Sequence, residues 1–551
     1  MKLAPSLLLF LILHSFSTKL EAQTYLVDSN FGVQGIARIK SNDSTNEMSF
    51  NTWAAGFSIQ NDDKIISIHA PYANSIIYGP VMSHGLIRFT ADGKKIDSSF
   101  GTNGYKNLIF DPLSTVSANY NAAFSTLILD DGRILVGGQK KLHHLPFTYL
   151  VSVVCFDGSG KVDSSFGNQG VFLFNTSADS TIGSYSRVIK IVQQSETRII
   201  LHCLGESSEK NILLAITPDG KIDSSYASNG LQNFAAFDLP NERQFYNGIQ
   251  LHSTGEMMVH ASSYDSVNWT HNYEYFVKLK TNGLIDSNFG LNGLKKIDTN
   301  TSVYNSVSDL YFNHIDIQGS KKHLSLLNSK NGNYKSLVRF KLNGDIDSSF
   351  GINGIKELPF NISIGTANSF HLESFKVLKN DYIVLTGRAL DSNSTLNSMD
   401  VLTVLLKPNG IIDSSFGING ISLIDGGIHI NDGGISILSR DSNSFIICGS
   451  DGLKYYEMIK FSTNSFPNSV STINEGYFNI YPNPVSDHIY FSSRKEIKKA
   501  TLFDQLGRQI IKKQINGGYG HIDVYDLVSG LYYLVLIDKD DSRTSKMIRV
   551  Q

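Results

Sequence analysis

Residues 97–104 read Asp97-Ser98-Ser99-Phe100-Gly101-Thr102-Asn103-Gly104, and this stretch occurs seven times along the chain with small changes. Neighbouring copies begin 60 to 69 residues apart. Their first residues are Asp28, Asp97, Asp163, Asp223, Asp286, Asp347 and Asp413. The region from about residue 24 to residue 463 is therefore seven versions of one unit.

Each position of the motif has a structural explanation. Every copy begins Asp-Ser, and an Asp carboxylate accepts hydrogen bonds from backbone N–H groups two residues on, which closes an Asx turn. The Asn-Gly or Gln-Gly ending favours a turn with positive φ. The fourth position is aromatic in every copy and predicts a side chain buried between units. These aromatic residues are Phe31, Phe100, Phe166, Tyr226, Phe289, Phe350 and Phe416.

A functional alternative is that the seven carboxylates bind seven cations. A calcium site needs several oxygen ligands that converge on one point. Each motif copy offers one carboxylate in a segment that a turn already explains, so we favour the structural interpretation and predict no metal site.

The segments between the motifs read as short strands, which unit two shows best. Residues 125–129 and 133–138 are strand-like and flank the hairpin turn Asp130-Asp131-Gly132, and residues 149–156 form a further strand. Apolar residues come in short runs and alternations, without sustained helical spacing. The sequence predicts an all-β protein.

Repeats of this kind bury their faces only by stacking, in an open solenoid or a closed propeller. The seventh unit ends near residue 463 without a motif after it, whereas the chain begins with a motif that has no strands before it. We therefore predict that residues 25–35 pair with residues 458–463 and close a seven-bladed β-propeller over residues 23–463.

The repeated Asp-Gly-Lys-Ile-Asp-Ser-Ser-Phe-Gly pattern, with the Arg-Ile-Leu-Val-Gly-Gly strand, resembles the delta-60 repeat of bacterial secreted proteins. The resemblance covers about residues 24–463, and its local departures include Tyr226-Ala227 in place of Phe-Gly. It implies a β-propeller fold and an extracellular setting, and it implies no reaction.

A polar linker at residues 464–474 precedes a different pattern at residues 475–551, where about seven short strands predict a small β-sandwich. This pattern resembles the type A C-terminal sorting domain of the type IX secretion system. The residues that carry the resemblance are Tyr481, Pro482, Asn483, Pro484, Gly507, Gly530 and Tyr532. It implies a Bacteroidetes cell, the type IX secretion machinery as partner, and a protein that is secreted or at the outer cell surface via the periplasm.

The first 22 residues have the pattern of a secretory signal peptide. Lys2 gives a positive start, residues 7–13 are apolar, and Ala22 precedes the expected cleavage, although cleavage after Ser17 stays an alternative. No later segment is apolar enough for a transmembrane helix in the mature chain.

Composition excludes some classes of function. Lys plus Arg total 48 and Asp plus Glu total 50, so no basic surface suggests nucleic acid. The three cysteines, Cys155, Cys203 and Cys448, fit no disulfide framework and predict buried free thiols.

A search for chemistry finds no nucleophile elbow, zinc helix or phosphate loop. His143-His144 is the most noticeable histidine pair, but adjacent strand residues point to opposite faces. The acidic pairs Asp62-Asp63 and Asp130-Asp131 fall at hairpin turns, which we favour over a glycosidase carboxylate pair. We predict no catalytic, cofactor-binding or metal-binding residues and no cofactor.

Two classes of function remain. The first is a non-catalytic surface or secreted binding or scaffold protein, a monomer whose propeller binds an extracellular glycan or protein. The alternative is a secreted hydrolase or lyase that acts on extracellular polymers from the propeller channel. Non-repeated polar residues that converge at the channel would favour the enzyme, and repeated residues there would favour a scaffold or binder.

Overall fold

A computed structural model gives the structure of the protein. It describes residues 25–33, 35–40, 56–69, 72–73, 81–82, 84–108, 121–142, 148–176, 187–204, 211–234, 242–265, 271–297, 315–319, 322–328, 335–358, 367–391, 399–417, 419–424, 433–450, 455–463, 478–481, 485–504, 508–539 and 543–550.

Within these ranges the chain forms 36 β-strands and no α-helix, so the all-β prediction is confirmed. The strands are β1 (Leu26–Val27), β2 (Ile36–Lys40), β3 (Phe57–Ile59), β4 (Ile65–His69), β5 (Tyr72–Ala73), β6 (Val81–Met82), β7 (Gly85–Phe89), β8 (Tyr105–Asn107), β9 (Asn121–Ile128), β10 (Ile134–Leu142), β11 (Thr148–Phe156), β12 (Val171–Phe174), β13 (Arg187–Ser195), β14 (Arg198–Leu204), β15 (Asn211–Ile216), β16 (Leu231–Asn233), β17 (Glu242–Leu251), β18 (Met257–Asp265), β19 (His271–Leu279), β20 (Leu294–Ile297), β21 (Ile315–Gln318), β22 (Lys322–Asn328), β23 (Lys335–Lys341), β24 (Ile355–Leu358), β25 (Ala367–Val377), β26 (Ile383–Asp391), β27 (Met399–Leu406), β28 (Ile421–Ile424), β29 (Gly433–Leu438), β30 (Ser444–Ser450), β31 (Tyr455–Ser462), β32 (Phe478–Tyr481), β33 (His488–Phe503), β34 (Gln509–Asp523), β35 (Gly530–Asp538) and β36 (Arg543–Val550).

The repeat region folds into antiparallel sheets, one per unit. Sheet 1 has the order β3-β4-β7-β8, and sheets 2 to 6 each contain four strands in chain order, from β9–β12 to β25–β28. Sheet 7 contains β29, β30 and β31 together with β1 and β2. A separate two-stranded sheet pairs β5 with β6. Each repeat thus builds one small sheet.

The two ends of the repeat region meet in sheet 7. Leu26 pairs with Ser462 and Ile36 pairs with Ile459, both antiparallel to β31. The Asp28 amide donates to the Lys460 carbonyl at 2.8 Å. The predicted pairing of the first motif with the last strand is confirmed.

The first strands of the seven sheets contact one another in a closed series. Each contacts the first strand of the next sheet, and β29 of sheet 7 contacts β3 of sheet 1. Apolar clusters fill the interfaces between sheets; one joins Leu135 and Phe166 of sheet 2 to Ile191 and Leu201 of sheet 3. The core therefore lies between neighbouring sheets, because one four-stranded sheet cannot bury its own faces.

The motif forms the turn that its residues predict. In all seven copies the amide two residues after the first Asp donates to that carboxylate, at 3.0 to 3.3 Å. Asn103 has a φ of 53° and Gly104 a φ of 91°, the left-handed region that Asn and Gly tolerate best. The Asx-turn interpretation is confirmed.

The strands around the hairpin turns also agree with the sequence. The unit-two segments correspond to β9, β10 and β11, which extend further than predicted. The turn between β9 and β10 is closed by a hydrogen bond from the Leu129 amide to the Arg133 carbonyl at 2.9 Å. Cys155, Cys203 and Cys448 are buried free thiols, as predicted.

The C-terminal strands differ from the prediction. Instead of about seven short strands, the described residues of this region form five, and β33 and β34 have 16 and 15 residues. They are joined by hydrogen bonds in the order β32-β33-β35-β36, with β34 also paired to β33 and a break in register between Ser492 and Ile497. Residues on both sides of that break, such as Phe491 and Leu502, share one apolar core. The sequence reasoning split each long strand because its polar middle reads as a turn.

Several predictions lie outside the described residues. They are the signal peptide at residues 1–22, the linker at residues 464–474, His143-His144, Gln34, Pro482-Asn483-Pro484 and Gly507. The described ranges contain no helix that is long and apolar enough to cross a membrane.

Candidate functional site

Each motif carboxylate has a cationic side chain of its own sheet beside it. The pairs are Asp28 with Lys460 (3.4 Å), Asp97 with Arg88 (3.0 Å), Asp163 with Arg133 (3.3 Å), Asp223 with Arg198 (2.5 Å), Asp286 with Lys278 (3.5 Å), Asp347 with Arg339 (2.9 Å) and Asp413 with Lys407 (3.9 Å). The counter-ion of every motif carboxylate is therefore a side chain, which fits the structural interpretation of the motif. Sequence reasoning missed these partners.

In sheet 6 the cation, Lys407, directly follows the third strand, and in the other six sheets it comes from one of two places. In sheets 1, 4, 5 and 7 it lies on the third strand of the repeat, one residue before an apolar residue, as in Arg88-Phe89. In sheets 2 and 3 that position holds an uncharged residue, Cys155 and Ala215 respectively. There the cation is an arginine near the start of the second strand, Arg133 in sheet 2 and Arg198 in sheet 3. Superposing the repeats in the sequence would have exposed this exchange.

The arginines also join neighbouring sheets. Each donates to a backbone carbonyl in the hairpin turn that precedes the next motif. The bonds run from Arg88 to Gly158 (2.6 Å), Arg133 to Pro218 (2.9 Å), Arg198 to Thr281 (3.0 Å) and Arg339 to Pro408 (2.8 Å). We call this contact between one motif and the next sheet's turn a joint.

The motif aromatic side chain completes the joint. All seven aromatic residues are at most 5% exposed. The Arg339 guanidinium lies 4.7 Å from the centre of the Phe350 ring, a cation–π distance. A Cβ on Gly410, in the turn of sheet 6, would lie 2.7 Å from that ring, so only glycine fits there. The aromatic residue packs between units, as the sequence predicts.

The joint stabilises the ionised carboxylate. Burial opposes ionisation of Asp97, but hydrogen bonds from the Ser99 hydroxyl and amide, together with Arg88 and Lys64, lower its pKa to about 2. Asp347 has the same environment with Ser349, Lys322 and Arg339, and its pKa lies far below the usual range. Both groups are charged at any physiological pH, which suits a structural ion pair and not a proton donor.

The first strands of sheets 3, 5 and 6 carry charged residues that are not part of the repeated motif. Lys190 of β13 donates to the Ile249 carbonyl of β17 at 2.8 Å, and burial lowers its pKa to about 8. Asp316 of β21 raises that pKa and Lys376 of β25 lowers it, so the three charges interact although they belong to sheets 3, 5 and 6. Asp316 also accepts a hydrogen bond from the Val377 amide at 2.8 Å.

A buried polar cluster lies between sheets 4 and 5. The Nε2 atoms of His252 and His323 are 3.1 Å apart. Ser325 Oγ lies 3.2 Å from His260 Nδ1, and His260 Nε2 lies 2.9 Å from Glu274 Oε2. A catalytic nucleophile, base and carboxylate would lie at such distances, but all three residues are 0% exposed, so a substrate cannot reach them. These residues lie on three different strands, and no sequence motif predicts that they come together.

The acidic pairs named from the sequence lie in turns. The Asp63 amide donates to the Gln60 carbonyl, and Asp131 pairs with Arg133 at 2.8 Å. Over the described ranges, no group of three or more His, Cys, Asp or Glu residues is arranged to hold a metal ion.

Of the sorting-motif residues, Tyr481 ends β32 and Gly530 begins β35. The Tyr532 side chain is 9% exposed, and its hydroxyl donates to the Val528 carbonyl at 2.8 Å. Tyr532 thus anchors the start of β35 to the preceding loop.

Comparison with known families identifies one segment of the chain. Residues 479–551 match the secretion system C-terminal sorting domain. This domain indicates export through the type IX secretion system and a location outside the cell or at the outer cell surface. No curated protein matches the sequence.

Several solved structures resemble the chain at low identity. PorZ, a surface component of the type IX secretion system of Porphyromonas gingivalis, matches at 11% identity and a TM-score of 0.41, over 91% of this chain and 59% of PorZ. Prolyl oligopeptidase B from Galerina marginata matches at 10% identity and a TM-score of 0.40, over 88% of this chain and 56% of its own. An α-L-arabinanase from Penicillium chrysogenum matches at 9% identity and a TM-score of 0.37, over 71% of this chain and 96% of the arabinanase. The chain spans 59% of the first of these, and likenesses this weak carry no functional argument.

Proposed function

We propose that residues 23–463 form a seven-bladed β-propeller of the delta-60 type and act as an exported, non-catalytic binding module. The closed series of first-strand contacts supports the ring, and so does the pairing of β1 and β2 with β31. Residues 464–474 would link this ring to a sorting domain at residues 475–551, and cleavage of residues 1–22 would precede export.

The observation that supports the binding role is that two sets of charged residues have different surroundings. The motif carboxylates are paired with cations at the joints, where they hold the sheets together. Lys190, Asp316 and Lys376 instead interact across the first strands of three different sheets, and in a propeller the first strands line the central channel. Two cations and one carboxylate fit a ligand with acidic and hydroxyl groups, such as an acidic extracellular glycan.

The alternative is a secreted hydrolase or lyase that acts from the same channel. It has one point in its favour, because the interacting charges on the first strands are not repeat residues. The carboxylate among them, Asp316, accepts hydrogen bonds from the Ile317 and Val377 amides, which suits a structural acceptor. We therefore rank binding first.

A test uses the mature full-length protein on arrays of acidic and neutral glycans and of peptides. We expect binding to acidic glycans without cleavage, and Lys376→Gln should weaken it by at least about tenfold, because it removes a charged hydrogen-bond donor. Lys379→Gln, three residues away on an exposed turn, is the matched control. Release of reducing ends or unsaturated sugars would favour the enzyme. Glycan binding that is unchanged in Lys376→Gln would contradict the proposed binding site.

A further inference from the structure

One edge of the repeat region exposes large aliphatic side chains. Leu284 is 48% exposed, Leu291 78%, Ile352 81% and Ile411 57%. All four lie in the connections between the third and fourth strands of sheets 4, 5 and 6. We call them the aliphatic edge.

The repeats themselves show that this edge is not a requirement of the fold. At the position of Leu291 and Ile352, after the motif's fifth residue, sheets 1 to 3 have Thr102, Asn168 and Ser228. At the position of Leu284 and Ile411, in the turn before the motif, sheets 1 to 3 have lysine. These lysines are Lys95, Lys161 and Lys221. The same turns therefore form with polar or aliphatic residues at these positions, and sheet 5 combines Ile352 with Asp345.

The joints bring these positions to one side of the molecule. The Gly351 amide, just before Ile352, donates to the Asn409 carbonyl at 2.9 Å, two residues before Ile411. The Ala227 amide donates to the Asn282 carbonyl at 2.7 Å, two residues before Leu284. The four side chains therefore follow three consecutive joints, from sheets 3/4 to sheets 5/6.

Lysines accompany the aliphatic residues. Lys280 and Lys407 donate their amides to the carbonyls of Leu284 and Ile411, at 2.8 Å in both turns, so each lysine faces an aliphatic residue across a turn. Lys341 takes this position in sheet 5, opposite Asp345. Asp345 is itself paired with Lys295 at 2.8 Å. In sheets 1 to 3 the corresponding residues are Thr90, Asp157 and Thr217.

We propose that the aliphatic edge, with Lys280, Lys341 and Lys407, docks the protein on a lipid bilayer surface that carries anionic headgroups. The aliphatic tips enter the interfacial layer, and the lysines meet the headgroups. This inference does not depend on the channel ligand, and it adds a non-covalent contact for a protein located outside the cell or at its surface.

A bilayer suits this edge better than a protein partner. The aliphatic residues are distributed over three joints, so no single pocket could take them all, whereas a lipid surface buries separate tips together. Protein interfaces favour Tyr, Trp and Arg and are depleted in Lys. Aliphatic tips beside lysines are instead what anionic membranes attract.

The test is flotation of the mature full-length protein with vesicles of phosphatidylcholine alone or mixed with phosphatidylglycerol. We expect binding only to the anionic vesicles and weakening by salt. The double variant Leu291→Ser and Ile352→Asn, which installs the residues of sheets 3 and 2, should reduce binding at least about tenfold with no change in melting temperature. Lys280→Thr with Lys341→Thr should remove the preference for anionic lipid.

Two controls match these variants. Lys95→Thr with Lys161→Thr makes the same charge change in sheets 1 and 2 and should leave binding intact. Val33→Asn removes an aliphatic side chain that is 78% exposed but lies at the joint of sheets 7 and 1, outside the edge. The proposal is overturned if the native protein ignores anionic vesicles or if the controls weaken binding equally. It is also overturned if the protein self-associates through Leu291 and Ile352, as light scattering of the same double variant would show.

Discussion

Sheets 5 and 6 carry the same motif with different surroundings. In sheet 5, Asp347 is paired with Arg339 at 2.9 Å and with Lys322 at 3.0 Å. In sheet 6 the equivalent positions hold Leu405 and Tyr382, and the partner of Asp413 is Lys407 at 3.9 Å. Both copies still close the Asx turn and bury the aromatic residue. The turn and the aromatic residue are therefore separable from the arginine.

The joint between sheets 6 and 7 uses aromatic residues where others use arginine. Tyr25 of the N-terminal segment lies 6.3 Å from Tyr382 and 5.2 Å from Phe445, between ring centres. Its hydroxyl donates to the Ser442 carbonyl at 2.5 Å and accepts from Asn380 at 2.8 Å. The residue that replaces the cation in sheet 6 thus contacts the segment that closes the series of sheets.

The largest effect should follow from removing that segment. A mature protein without residues 25–40 loses β1, β2 and Tyr25, and β31 becomes an unpaired edge. We expect hydrogen exchange to show loss of amide protection across β30 and β31, more than four hundred residues away in sequence. Unchanged protection there, with loss confined to sheet 1, would contradict a closed ring.

Removing a motif aromatic side chain should come next. Phe350→Ala leaves a cavity where a fully buried ring packs on Gly410 and under Arg339, and should cost about 3–5 kcal/mol of unfolding free energy. The control is Ile352→Ala, two residues away and 81% exposed, with a change within about 0.5 kcal/mol. Urea denaturation of both variants measures the difference, and equal midpoints would count against a buried structural role.

Breaking the ion pair of sheet 5 directly tests the comparison with sheet 6. Arg339 and Asp347 have side chains that are 5% and 8% exposed, so Arg339→Met leaves a largely buried carboxylate and should cost about 3 kcal/mol. Lys322→Met, at a side chain that is 40% exposed, should cost much less. If Arg339→Met were tolerated as well as Lys322→Met, the arginine would be dispensable in sheet 5 too.

Two buried histidines predict sensitivity to acid. Burial first, and then neighbouring His252 and Lys278, lower the pKa of His323 to about 3. Burial, partly offset by Asn211, does the same for His202. Their folded pKa values lie below the usual 6.5, so the neutral forms stabilise the fold above that pH and the contribution is lost as the pH falls towards 3.

The expected loss is about 2 kcal/mol per histidine between pH 7 and pH 5. Measuring the melting temperature against pH for the native protein and for His202→Gln would show it, since the variant should have a flatter profile. His521→Gln, at a side chain that is 42% exposed on the sorting domain, should keep the native profile. A native profile that is flat over this range would refute the prediction.

The structural features that could be predicted from the sequence are those that depend on short-range backbone chemistry. The Asp-Ser start and Asn-Gly end of each motif predict the turns, and the unmatched ends predict the pairing of Leu26 with Ser462. The sequence does not predict what depends on three-dimensional proximity. His260, Glu274 and Ser325 meet from three strands, and Lys190, Asp316 and Lys376 interact across three sheets. Arg133 substitutes for a cation at the Cys155 position, which only a comparison between repeats could reveal.

The smallest effect should come from the ion pair of sheet 6. Lys407 is 41% exposed and lies 3.9 Å from Asp413, whose side chain is 1% exposed. Lys407 is itself in contact with solvent and lies farther from its carboxylate than Arg339 does at 2.9 Å, so this pair is the weaker of the two. The hydrogen bonds from the Ser415 amide and hydroxyl, at 3.2 and 2.8 Å, remain when the lysine is removed. Lys407→Met should therefore change the unfolding free energy by less than about 1 kcal/mol, against about 3 for Arg339→Met in sheet 5. Tyr382→Leu should cost more than Lys407→Met, because it removes the ring beside Tyr25 at the closure. Urea denaturation of the three variants decides this, and a larger loss for Lys407→Met than for Tyr382→Leu would mean that charge, not aromatic packing, holds sheets 6 and 7 together.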